Sequence, residues 1–543
     1  MFSVIGIAFA FWLRTVPAGN PDPRFTYNVF YVLFARQEPA ALAIVAIFSV
    51  LAAWRLSRRR DTTGRRYEQN PHRATMACVL LAVATFAITA IGTQVVFHNY
   101  ALTADEYFAD FQANIFLHGK LQAEVPPAWV SAQKHLRIPS FVQYFPGNHS
   151  WNSIYLPVYA AMRAMFEMIR LQSLLNPFLA GLTMLALYGT VRNTWPESKT
   201  NALVAIGLLV SSSQFLVMSM TSYAWPAHLA LNSIWLWLYS QPDRRRFYLA
   251  PVVGVLAIGL HQPAVHALFA LPFLLRLVLQ RRWRVVLIFG AIYLGGCAFW
   301  FTWRARFQVA GGDGIGSIFR LLNPRMPIIQ AMNLLLIIGW ASLATPVLAT
   351  LGTMRFFKER PIVQDAILSC LLTFAFYFFF FGDQAHGWGY RYFYGVIGCF
   401  IIVAVAGFDR LSTRIGRNRA TEFVLIAIAF SFFVQFPLRC LQAERFVRPY
   451  ARTAAVIHAI EKEIVAFDCR DAWYSADLLR NDPFLEERPI ILSTVYLTPA
   501  EIATLKANAN VRFITRQDLT RLGMFTVLST HYERDPFRLG RGK

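Results

Sequence analysis

Asp105 and Glu106 stand side by side near the start of the first long polar interval of the chain, the stretch 97–151. A third acid, Asp110, follows, and the interval closes on Tyr144-Phe145-Pro146 and Trp151. A carboxylate next to an apolar segment is costly to strip of water, so it is kept chiefly where it acts. The chemistry such a pair suits is proton removal. One carboxylate takes the proton of an attacking hydroxyl while the new bond forms at an anomeric carbon, as an inverting sugar transfer requires. Asp105 is the candidate base. Glu106 is the candidate assistant, placed to orient the acceptor or to hold a divalent ion. The bland alternative is a solvated loop end, and the flanking Tyr100, Tyr107, Phe108 and Phe111 argue against it.

A second constellation runs Gly382-Asp383-Gln384-Ala385-His386-Gly387-Trp388-Gly389-Tyr390-Arg391-Tyr392. Its glycines let backbone approach a ligand closely. Arg391 suits a phosphate oxygen through permanent charge and paired donors, with His386 beside it. Asp383, Trp388 and Tyr390 complete a candidate substrate surface. Tyr223, Trp225 and His228 cluster at one turn, and His261-Gln262 with His266 at another. Tyr223, His228 and His261 are therefore candidate substrate contacts, although a lone histidine is more often a packing residue. The run Gly311-Gly312-Asp313-Gly314-Ile315-Gly316 follows no strand and reads as a loop, not as a nucleotide cradle.

The elements that must position these residues are membrane spans. Of 543 residues, 56% are hydrophobic and only 15% charged, the profile of a polytopic membrane protein. The net charge of +22 would suggest nucleic acid in a soluble protein. Here the excess sits largely in short loops, where Lys and Arg fix topology, so no nucleic-acid partner is expected. The six cysteines show no CxxC pair and no metal-ligand spacing. Cys440 and Cys469 are the one pair able to bridge in an oxidising compartment.

Apolar runs of about spanning length predict 13 helices, at 1–13, 39–54, 74–97, 173–191, 200–220, 226–240, 247–261, 264–279, 285–303, 328–351, 362–381, 391–408 and 421–438. The N-terminal run reads as a short first span, not a cleaved signal. Loop charge tests the set. Loops 55–73, 192–199, 241–246, 281–284, 355–360 and 409–419 all carry Lys or Arg and all fall on one parity, the cytoplasmic one. The outer face then receives 98–150, 221–226, 261–263, 304–327, 382–390 and everything after 437. Residues 154–170 read as an amphipathic helix lying on that surface. From 439 onward charged residues become frequent. Strands are expected at 490–492, 494–496 and 511–514, with helices at 452–467 and 499–507, giving a small α/β extramembrane domain.

These residues resemble a known group. Asp105-Glu106-Tyr107 in the first large outer loop, the run Tyr155-Leu156-Pro157-Val158-Tyr159 and the late Trp388-Gly389-Tyr390-Arg391-Tyr392 look like the GT-C membrane glycosyltransferases. Within them the pattern is similar to the dolichyl-phosphate-mannose mannosyltransferase and bacterial aminoarabinose-transferase branch. The resemblance covers roughly 74–438, and the spans before residue 74 depart from the simplest layout. It implies a polyprenyl-phosphate sugar donor, an Asp of the first outer loop as base, which would be Asp105, and Arg391 with His386 on the lipid phosphate. The chain then divides into extra N-terminal spans (1–73), a GT-C-like catalytic body (74–438) and a C-terminal domain (439–543). It would be a multi-pass inner-membrane enzyme with its site facing the periplasm and a glycan, lipid or protein acceptor. No cofactor is implied beyond the divalent ion considered for Glu106. The rival reading is a transporter or flippase of envelope glycan precursors. Such proteins place charges midway through spans in repeated halves, and no repeat is visible here.

Overall fold

The computed structural model describes residues 2–15, 29–58, 71–307, 326–379, 384 and 387–524. The glycine run at 311–316, much of the basic loop 55–73, Asp383 and His386 lie outside the described residues. Helices α1 (Phe2–Thr15), α2 (Val29–Arg58) and α3 (Pro71–Val95) come first. Next are α4 (Ala104–Leu117) and the surface helix α5 (Val158–Glu167), then α6 (Leu175–Thr194), α7 (Lys199–Val210), α8 (Ser213–Ser219) and α9 (Trp225–Tyr239). They are followed by α10 (Arg244–Phe247), α11 (Ala250–Ile258), α12 (Pro263–Leu279), α13 (Trp283–Phe307), α14 (Met326–Trp340), α15 (Thr345–Thr353) and α16 (Pro361–Phe379). The last of the bundle are α17 (Ile397–Ile415), α18 (Arg417–Phe430) and α19 (Phe436–His458).

Among the described residues seven helices are long and apolar enough to cross a membrane, or nine if each of two bent pairs is one span. Polar groups inside them bond locally, as an apolar solvent demands. Along α3 the hydroxyls of Thr85, Thr89 and Thr93 donate to carbonyls four residues back at 2.7, 2.8 and 3.0 Å. Between α7 and α8 the chain bends by 59° at Ser212, whose hydroxyl caps the second helix. A fully buried charged pair lies inside the bundle. Arg439 of α19 grips Glu38 of α2 at 2.6 and 2.9 Å, both side chains buried, with Trp340 4.1 Å beneath the guanidinium.

The two ends of the bundle collect the segments that loop charge separates. At one end Asn201 donates to Asp409 at 2.9 Å, Arg360 bonds Thr194 and Glu197, and Arg410 donates to Leu351. At the other, Thr103 meets Tyr223, Ser222 meets Glu106, and His228 meets His261. Over this second end sits a small antiparallel sheet in the order β1-β3-β2, formed by β1 (Ala123–Glu124), β2 (Val142–Phe145) and β3 (Ser150–Ser153). Trp151 of β3 packs edge-on against Phe111 of α4.

The C-terminal part is a parallel sheet, β5-β4-β6, with β4 (Ile464–Phe467) between β5 (Ile490–Ser493) and β6 (Val511–Ile514). Helices α20 (Pro499–Ala507) and α21 (Arg516–Arg521) accompany it. Three expectations need correction here. The helix expected over 452–467 ends at His458, and its last four residues are the central strand β4. Residues 494–496 form no strand. Cys440 and Cys469 are free thiols, with Cys469 buried.

Candidate active site

Asp105 does not lie on a loop. It occupies the first turn of α4, which a capping box formed by Thr103 and Glu106 starts. The Glu106 carboxylate accepts from the Thr103 amide at 3.1 Å and from the Ser222 amide, also at 3.1 Å. It is fully buried. Burial pushes it up to about 7, against the pull of the Thr103 and Ser222 amides. Glu106, the expected assistant, is thus held by two backbone amides, and its oxygens tie α4 to the turn before α9.

With Glu106 turned inward, Asp105 on the next face of the turn is partly exposed. Its Oδ2 lies 3.2 Å from Nη1 of Arg391, and its Oδ1 accepts from the Tyr155 hydroxyl. Burial beside the carboxylate holds that hydroxyl well above the ordinary tyrosine range, so it stays a donor. Arg391 Nη1 also reaches the Tyr223 hydroxyl at 3.2 Å, and its plane lies near the Tyr223 and Tyr392 rings, 5.6 and 5.3 Å from their centroids. Its Nε is buried and has no hydrogen-bond partner among the described residues. Thr103 donates to the Tyr223 hydroxyl at 3.0 Å, so the segment that starts α4 also orients Tyr223.

The turn that presents Arg391 depends on Gly389. Its φ of +85° is left-handed, and a Cβ there would meet the Gln214 side chain at 2.6–2.9 Å. Gln214 donates to the Tyr390 carbonyl at 2.7 Å, and Gln384 accepts from the Arg391 amide at 2.8 Å. Trp388 and Tyr390, expected on substrate, are instead almost wholly buried. Trp388 packs edge-on against Phe97, and the Tyr390 hydroxyl reaches Gln330. An alternating run must send some rings inward, and here these two anchor the turn while Arg391 faces Asp105.

His261 sits next to this centre, its ring 5.8 Å from that of Tyr155 and 4.9 Å from that of Trp225. His228 lies behind it, fully buried, with its Nε2 3.0 Å from His261 Nδ1. His228 thus supports His261 and does not face the site. His266 is occupied with Asn232 and Tyr293, both at 2.8 Å. Asp110 is bound by Arg163 of α5 at 2.6 and 2.8 Å, which straps the surface helix to α4. Tyr155 and Tyr392 were not among the expected site residues, although both fall in the motif runs that carried the resemblance. Among the described residues no three His, Cys, Asp or Glu side chains converge as metal ligands.

The C-terminal part reaches into the same region. Arg480 donates to the Ala101 carbonyl and lies 4.1 Å over the Tyr100 ring. The Tyr107 hydroxyl donates to the Asn481 carbonyl at 2.8 Å, and Trp151 Nε1 to the Pro483 carbonyl at 2.8 Å. Asp477 accepts from the Ala104 amide at the start of α4, and burial pushes it up to about 7 against the pull of Arg480.

A similar fold occurs in a solved structure. The crystal structure of ArnT from Cupriavidus metallidurans bound to undecaprenyl phosphate matches with a TM-score of 0.52 over 82% of this chain and 91% of that one. The chain has the fold of ArnT. The apo-state ArnT structure matches with a TM-score of 0.51 over 83% and 91%. Sequence identity to ArnT is 14%, so the likeness speaks for fold. No family model matches the chain, and no curated protein is similar to it in sequence.

Proposed function

We propose that the protein is an integral-membrane inverting glycosyltransferase that moves a sugar from a polyprenyl-phosphate donor to a hydroxyl of an envelope glycan, lipid or protein. The observation that carries this reading is the meeting of Asp105 and Arg391 in one partly open site. The acceptor oxygen attacks the anomeric carbon while Asp105 takes its proton. The bond from that carbon to the phosphate oxygen breaks, and polyprenyl phosphate leaves with the bonding pair. Arg391 meets the growing negative charge with its guanidinium, between the rings of Tyr223 and Tyr392. Tyr155 holds the carboxylate in orientation, and His261 lines the same wall. The binding of undecaprenyl phosphate by ArnT, whose fold this chain shares, supports a polyprenyl-phosphate donor.

In this reading every apolar run identified in the sequence is a span, 13 in all, the shorter helices included. Residues 1–73 are additional spans, 74–438 the catalytic body and 439–543 a domain on the outer, periplasmic face of the inner membrane. The parity of the basic loops supports that orientation. Incubating the purified protein with a labelled polyprenyl-phosphate sugar tests the reaction. A new glycoside is expected from the wild type and none from Asp105→Asn. Wild-type turnover by that variant would remove Asp105 as the base.

A further inference from the structure

A cavity of about 610 Å³ opens between the outer loop, α19 and the C-terminal part, apart from the Asp105–Arg391 site. Three guanidinium groups line it, those of Arg448, Arg452 and Arg480, against one carboxylate, Glu487. His98 and His458 add ring nitrogens, and Tyr100 and Tyr107 supply aromatic walls. Arg448 and His98 share Glu444 at 3.1 and 3.4 Å, which leaves the cavity net positive. Arg452 is exposed and makes no ion pair among the described residues. Such an arrangement is unusual on this end of the bundle, where basic residues serve no topological purpose.

Like cations held together repel unless an anion joins them, and Arg forks match phosphate oxygens in geometry as well as charge. The volume falls in the range of clefts that hold small organic ligands, well beyond a bare ion. Two tyrosine rings beside the cations suit the apolar face of a sugar or glycerol unit. The cavity also lies where the 417–458 helix turns from apolar to basic, and just past the end of α3, so a group at the membrane surface can reach it.

We infer that this cavity is a second anion site, which takes a phosphate ester. The ester is borne either by a lipid headgroup or by a soluble phosphorylated sugar. The inference goes beyond the proposed reaction and does not depend on it. Arg480, lying over Tyr100 and bonded to Ala101, links such a ligand to the segment that starts α4.

Binding to the full-length protein tests it, without reference to turnover. One arm titrates glucose 6-phosphate into detergent-purified protein by calorimetry. The other compares thermal stability in phosphatidylglycerol and phosphatidylcholine nanodiscs. The variant is Arg448→Gln with Arg452→Gln, chosen because both side chains are exposed and their loss leaves the core intact. Arg170→Gln, another exposed arginine, is the control. Saturable glucose 6-phosphate binding, or specific stabilisation by phosphatidylglycerol, is expected in at least one arm. The double variant should weaken it about tenfold or more, and the control should not. A response in the first arm alone assigns a soluble ester, and in the second alone a lipid headgroup. No response in either arm, or equal responses from wild type and double variant, overturns the inference.

Discussion

Asp105 and Arg391, 286 positions apart in the chain, close on each other at 3.2 Å. Under the proposed function this pairing is a resting arrangement of the base with the cation meant for the leaving group. A phosphate arriving at Arg391 would compete for Nη1 and free Oδ2 of Asp105 for the acceptor hydroxyl. Arginine rather than any cation is needed, because the guanidinium serves Asp105, Tyr223 and the phosphate from different edges. Arg391→Lys should therefore keep the charge yet lower kcat about 10²–10³-fold, measured with the labelled donor. A lysine variant within a factor of about two of wild type would show that the fork geometry is idle.

The two raised carboxyls make the outer region sensitive to pH. Glu106 and Asp477 are pushed up to about 7 in the folded protein, above the ordinary carboxylate range. The folded state then binds more protons than the unfolded one across that window. Stability falls as pH rises from about 4 towards 7 and levels off above it. For Glu106 the slope is of the order of 1 kcal/mol per pH unit. Melting curves from about pH 5 to 8 should show this loss, and Glu106→Gln with Asp477→Asn should flatten it. A wild-type melting point that rises over the same range would contradict the assignment.

Much of this arrangement was legible in the sequence, for identifiable reasons. Lipid requires long apolar runs, so the presence of several membrane-length helices could be read directly from composition. Asp105 and Arg391 stood out because charge beside an apolar run is costly. The inward turn of Glu106 was also readable, since Thr103-Ala104-Asp105-Glu106 is a capping-box pattern. The burial of Trp388 and Tyr390 was not, because it follows from the left-handed turn at Gly389. Tyr155 reaches Asp105 from 50 positions away, and the Tyr107–Asn481 bond spans 374. Local pattern carries no trace of such pairings. Strand β4 escaped because Ile464–Phe467 lies only a short turn beyond the helix ending at His458, and its apolar residues extend that helix's spacing.

Asn481 concentrates the docking of the C-terminal part. Its side chain donates to the carbonyls of Leu136 and Ile491 at 2.9 and 2.8 Å, and accepts from the Ile491 amide at 2.7 Å. Its own carbonyl holds Tyr107. Asn481→Ala leaves buried backbone groups unpaired at about 1–3 kcal/mol each. Faster amide exchange across 101–107 is expected, with a parallel fall in transfer. Unchanged exchange there would mean that the C-terminal part does not position α4.

The Glu38–Arg439 pair should behave differently from the surface pairs. Both side chains are buried, and Glu38 also accepts from Trp340 Nε1 at 3.0 Å. The pair ties α2 to α19, so it fastens one of the first helices of the bundle to the last. Removing one partner strands a charge in an apolar interior, which typically costs about 3–5 kcal/mol. Replacing both by apolar residues removes the charge altogether and is often close to neutral. Arg439→Met should therefore lower the melting temperature sharply, while Glu38→Leu combined with Arg439→Met should recover most of the loss. A double variant as unstable as the sum of the two single ones would show that the residues act independently and that the link between α2 and α19 lies elsewhere.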